Sequence, residues 1–135
     1  QFQAYHLSLL ERLPENSHIF IIGALGGTWY DPMKEKYAAY VRLRHEKKIA
    51  WHMLMYESGE EETRLLQKDP TLNFFHRLPT DVKNLANINV MNDEAIILQV
   101  FHPTPMVIEI KNPILAKAYL RYYEDLLKIS EPLLP

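Results

Sequence analysis

The run Ile19-Phe20-Ile21-Ile22-Gly23-Ala24-Leu25-Gly26-Gly27-Thr28 decides the fold. From Ile19 to Ile22 it is apolar at every position and rich in β-branched side chains. A strand without polar alternation is one covered on both faces, as in a parallel sheet. This one runs straight into a glycine pair. Asp31-Pro32 follows and reads as a helix start, because Asp accepts free backbone N–H groups at a cap and Pro suits a first turn. Strand, glycine loop and helix start make the first unit of an α/β sheet.

Working outward, Phe2, Tyr5, Leu9, Leu10 and Leu13 recur at helical spacing until Pro14 ends the pattern. Downstream of Pro32, Met33, Tyr37, Tyr40 and Val41 form an apolar stripe, with Lys34, Glu35, Arg42 and Glu46 facing away. Ile49–Tyr56 reads as a second strand. Ser58-Gly59-Glu60-Glu61 has the Ser-x-x-Glu capping pattern, and its helix should run to about Lys68, before Asp69-Pro70. Leu72–Leu78 is a third strand. Ala86–Met91 and Glu94–Phe101 flank Asn92-Asp93, a two-residue hairpin signal. Met106–Ile110 alternates like a strand near an edge. Asn112-Pro113 caps a last helix with the stripe Leu115, Ala118, Tyr119, Tyr122 and Leu126. The expected architecture is a mixed, largely parallel α/β sheet flanked by helices. The parallel strands need crossover connections, and the hairpins extend the same sheet.

Composition narrows the function classes. At 135 residues the chain has the length of one domain, and its 47% apolar content suffices for a core. A net charge of −2 argues against this segment itself gripping nucleic acid. There is no cysteine, which excludes disulfides and thiolate metal sites. The apolar runs Ile19–Leu25 and Ala95–Val100 are too short to span a bilayer, and no signal peptide opens the chain. A cytoplasmic setting is expected. The first residue is Gln1 rather than Met, so a portion upstream is expected to be missing.

The chemistry-bearing residues form no catalytic set. His6, His18, His45, His52, His76 and His102 are scattered without a metal-ligand spacing. No metal or cofactor is therefore expected. His45-Glu46-Lys47 begins like the phospholipase D signature, in which a His nucleophile is followed by Lys two residues on. That signature needs Asp five residues after the Lys, where this chain has His52. No serine lies in a Gly-x-Ser-x-Gly elbow, and Glu60-Glu61-Glu62 fits a first helical turn. Two places invite a ligand instead. Gly26, Gly27, Thr28 and Trp29 follow a buried strand, where open α/β sheets bind ligands, although a tight turn alone would also use glycines. Asn87 and Asn89 put two carboxamides on one strand face, suited to sugar hydroxyls or to loop backbone groups.

Several segments together resemble a known family. Ile19-Phe20-Ile21-Ile22-Gly23-Ala24-Leu25-Gly26-Gly27-Thr28-Trp29 looks like the first strand and loop of the C-terminal domain of TrmB-like archaeal regulators. Leu78-Pro79, then Asn87-Ile88-Asn89-Val90 and Asn92-Asp93-Glu94-Ala95-Ile96-Ile97-Leu98, are similar to its central hairpin. Val107-Ile108-Glu109-Ile110-Lys111-Asn112-Pro113, continuing to Tyr119-Leu120-Arg121-Tyr122-Tyr123-Glu124-Asp125-Leu126-Leu127, looks like its last strand and closing helix. The resemblance implies a phospholipase D-like fold without the catalytic signature, used to sense a ligand and to dimerise. It implies residues 1–14 as the end of a helix linking to an absent winged helix-turn-helix, and residues 15–135 as the effector domain. The expected partners are a small-molecule effector, a sugar or other metabolite, and a second copy of the chain. DNA would be met only through a domain outside this chain, and no membrane is involved. Two alternatives stand beside this one: a degenerate phosphodiesterase using His76 and His102, and a purely structural dimerisation module.

Overall fold

The computed structural model describes residues 1–25, 30–57, 59–80, 86–101 and 103–133. The glycine loop Gly26–Trp29, the expected cap Ser58 and His102 lie outside the described residues.

A seven-stranded sheet with the order β6-β5-β4-β1-β2-β3-β7 forms the centre of the molecule. Its strands are β1 (His18–Leu25), β2 (Ala50–Glu57), β3 (Asn73–Arg77), β4 (Ala86–Met91), β5 (Ala95–Val100), β6 (Met106–Lys111) and the short β7 (Glu131–Pro132). β1, β2 and β3 are parallel neighbours, as the crossover helices between them require. β4, β5 and β6 form an antiparallel meander joined to β1 through β4. The expected mixed sheet with helices on both sides is the architecture found.

Alternation along the strands sorts the core into two layers. One face carries Ile19, Ile21, Trp51, Met53, Phe75, Met91 and Ile97. It is covered by α1 (Phe2–Arg12), α3 (Tyr37–Glu46) and α4 (Glu60–Lys68), through Leu9, Leu10, Tyr40, Leu65 and Leu66. The other face carries Phe20, Leu54, Val90 and Ile96 and is covered, among the described residues, by α5 (Pro113–Leu127), through Ala116, Leu120 and Tyr123.

Four local expectations need correction. The helix after the glycine loop is not continuous. A short α2 (Tyr30–Met33) and a 3-10 turn (Lys34–Lys36) precede α3, and Asp31 lies inside α2 rather than capping it. Lys34 at φ +46° explains the break, since a non-glycine residue there cannot continue a right-handed helix. The α4 cap is Gly59, one residue later than read, with the Glu62 carboxylate accepting the Gly59 N–H at 2.6 Å. The β4–β5 loop has three residues, Asn92 to Glu94, rather than two, with Asn92 at φ +53°. The α5 stripe is rotated by one position: Ala116 and Tyr123 are buried, while Leu115 and Tyr122 are exposed. Asn112 caps α5 as expected, its Oδ1 accepting from the N–H groups of Ile114 at 3.0 Å and Leu115 at 3.1 Å.

Candidate functional site

Among the described residues, buried polar side chains gather where β4 and β5 meet α1. The β4–β5 register sets Asn87 opposite Gln99 and Asn89 opposite Ile97. Asn87, Asn89 and Gln99 therefore share the face that α1, α3 and α4 cover. All three are buried, at 7%, 4% and 5% exposure. From α1, His6 enters the same layer and is itself only 2% exposed. Its Nε2 stands 3.0 Å from Gln99 Oε1. An amide oxygen only accepts, so Nε2 carries the proton. Burial pushes the His6 pKa down to about 4 against the opposing Gln99 contact, so the ring is neutral.

These groups border a cavity of about 60 Å³. Ile21, Met53 and Ile97 form its sheet wall, and His6, Leu9, Tyr37, Tyr40 and Leu65 come from the helices. Glu61 and Glu62 complete the lining from α4. Both carboxylates are engaged. Glu61 accepts from the Tyr37 hydroxyl and from Arg64, and Glu62 from Gly59 N–H. Burial raises the Tyr37 pKa, and its bond to Glu61 raises it further.

Asn87 Oδ1 and Asn89 Oδ1 are buried and accept no hydrogen bond from the described residues. Buried polar groups are nearly always paired, so two orphan acceptors on one face call for an explanation. Arg44 Nε also lacks a hydrogen-bond partner among the described residues. There the Arg44 guanidinium lies 3.9 Å over the Trp51 ring, and a cation–π contact compensates. Arg44 is otherwise spent on Ile49 O, Leu72 O and Asn73 Oδ1. Desolvation lowers its pKa to about 10.

Of the residues expected to hold a ligand, the structure brings Asn87 and Asn89 together at this cavity, while Gly26, Gly27, Thr28 and Trp29 lie outside the described residues. Sequence reasoning did not find His6 and Gln99. The histidines stay scattered: His18 Nδ1 lies 2.9 Å from His52 Nε2, His45 pairs with Asp69, and His76 meets Ser130 Oγ at 3.0 Å. Among the described residues no cluster of three potential ligands could hold a metal ion.

Scanned against protein-family models and against curated proteins, the chain gives no match. Solved structures do match. A phospholipase D family member, Nuc from Salmonella typhimurium, superposes with a TM-score of 0.63 at 8% identity, over 98% of this chain and 91% of that one. NucT from Helicobacter pylori gives 0.62 at 12% identity, over 97% and 92%. TrmBL2, described as an archaeal chromatin protein with a novel mode of DNA binding, gives 0.62 at 10% identity, over 98% of this chain and 49% of that one. The fold is phospholipase D-like.

Proposed function

We propose that this chain is the ligand-sensing domain of a DNA-binding regulator built on a phospholipase D-like fold. One observation carries the reading: a cavity under α1 with two buried carboxamide oxygens that accept from none of the described residues. A domain gains nothing in stability from orphan acceptors, which cost on the order of 1–3 kcal/mol each when unmade. A ligand that donates to them explains why they are there. The likeness to TrmBL2, of which this chain spans about half, supports the regulatory setting. In this reading residues 1–14, with α1, lead to a DNA-binding segment, and DNA contacts lie outside the chain. The loop Gly26, Gly27, Thr28 and Trp29 is proposed to contribute to ligand binding beside Asn87 and Asn89.

Dimerisation is part of the proposal. β6 pairs on one side with β5, and on the α5 face of the sheet it exposes Met106 and Ile108. α5 adds Ile114, Leu115 and Tyr122 as exposed apolar side chains. An apolar edge strand of this kind favours pairing with another chain.

The phosphodiesterase reading draws support from the two nuclease-named neighbours. Against it stands the sequence: the chain's His-x-Lys, His45-Glu46-Lys47, has His52 where the signature needs Asp. The test is a thermal-shift screen of the purified chain against sugars, nucleotides and other metabolites, run beside a phosphodiester hydrolysis assay. A metabolite that raises the melting temperature, with no turnover, is the expected result. Turnover that vanishes in His76→Ala would overturn the reading in favour of the enzyme.

A further inference from the structure

We infer that the cavity under α1 takes a small molecule bearing hydroxyl or amine donors, and that it rejects anions. The inference deepens the sensing reading and rests on it.

The first argument is the hydrogen-bond inventory. Asn87 Oδ1 and Asn89 Oδ1 can only accept, and neither accepts from any described residue. The ligand must therefore donate at least twice. The second argument is charge. The cavity is lined by two carboxylates, Glu61 and Glu62, and no lysine or arginine is among its described lining residues. Arg64 is paired with Glu61, and Arg44 is held by carbonyls and Asn73 behind Trp51. His6 stays neutral at physiological pH because burial disfavours its charged form. An anion entering here would lose its hydration and meet no cation in return. The third argument is size. A volume of about 60 Å³ is roughly twice the ~30 Å³ that a water molecule occupies in the liquid. Much of the remaining wall is apolar, Ile21, Met53 and Ile97 among it, which suits a short carbon chain between polar ends. Trapped water is the competing occupant, since water can also donate to both asparagines.

The experiment is a side-chain amide NMR titration of the isotopically labelled whole chain. Three probes of matched size serve: ethylene glycol, ethylenediamine and acetate. A saturable shift of the Asn87 and Asn89 amides with the glycol, the diamine or both is expected, and none with acetate. The glycol and diamine arms separate a hydroxyl ligand from an amine. Asn89→Leu keeps the side chain's bulk and removes the acceptor. It should melt at or above the parent temperature and weaken the saturable response at least tenfold. Saturation by acetate that Asn89→Leu abolishes would overturn the inference while leaving a sensing site in place. Silence to both donor probes would overturn it as well. If Asn89→Leu then also melts well below the parent, the asparagines serve the fold with bound water and the sensing reading loses its main support.

Discussion

Neutral His6 ties stability to pH. Its folded pKa of about 4 lies below the ordinary 6.5, so the unfolded chain binds the proton more readily. The stabilisation is complete above about pH 6.5 and is lost as pH falls toward 4. Each unit in that window costs about 1.4 kcal/mol, so a drop from pH 7 to 5 should remove about 2 kcal/mol. His52 is shifted to about 4 as well, by burial and by the neighbouring His18. Urea unfolding of the parent and of His6→Gln at both pH values separates the two: the variant should lose only the His52-dependent part. An equal pH slope in both proteins would show that His6 is not buried neutral. Gly23 makes a second claim at this scale. It sits at φ +92° in a bulge of β1, and an added Cβ would stand 3.2 Å from Tyr56 Cε2. Gly23→Ala should therefore destabilise by about 1–2 kcal/mol, read as a lower urea midpoint with unchanged slope.

Elements differ in how plainly the sequence announces them. α5 has an unambiguous start, and the two N–H groups held by Asn112 are worth about 1 kcal/mol in sum. Asn112→Ala should show that loss in chemical denaturation, and Asn112→Asp should restore most of it. The facing of α5 was not legible, because Leu115, Tyr119, Tyr122 and Leu126 form as regular a stripe as Ala116, Leu120, Tyr123 and Leu127. Only the sheet beneath decides between two faces that differ by one residue. The β4–β5 hairpin shows the same sensitivity. Alternation placed Asn87 and Asn89 on one face from sequence alone. A two-residue turn would have set Asn87 against Leu98, whereas the three-residue loop sets it against Gln99. One residue of loop thus separates seeing a polar pair from seeing a polar site. His6 was hidden for another reason: its partner lies 93 positions away, and a histidine inside a helical stripe looks like a solvated one.

At the scale of the whole molecule the two sheet faces are unequally covered. α1, α3 and α4 close one side, while among the described residues α5 alone lies on the other. Met106 at 54% and Ile108 at 48% exposure lie on β6, at the edge of that side. The parent should sediment as a dimer at micromolar concentration, and Ile108→Lys should yield a folded monomer, since a charged edge strand resists pairing. A parent that sediments as a monomer would end the dimer claim. Among the described residues no helix is long and apolar enough to cross a membrane.

The fastening of α1 has a mechanical consequence. Lys47 Nζ holds the carbonyls of Leu10 and Glu11, at 2.5 and 2.9 Å, and also that of Leu13. Arg12 and Tyr5 both bond Glu109 on β6. Near its beginning the helix is held by Gln3 Nε2 on the carbonyls of Pro32 and Met33, and by Phe2 against Phe101. Once the Tyr5–Glu109 bond gives way, the Lys47 clamp leaves the helix a lever with its fulcrum at Leu13. At about 1.5 Å per residue, His6 lies ~10 Å from the fulcrum and Gln1 ~18 Å. A displacement of the His6 ring by whatever fills the cavity arrives at Gln1 enlarged by roughly 1.7-fold, by the ratio of those arms. Because the chain contains no cysteine, single cysteines introduced at Ala4 and Ser8 can carry spin labels without background. Ligand should move the label at Ala4 further than the label at Ser8, and equal movement at both would mean that the helix slides instead of pivoting.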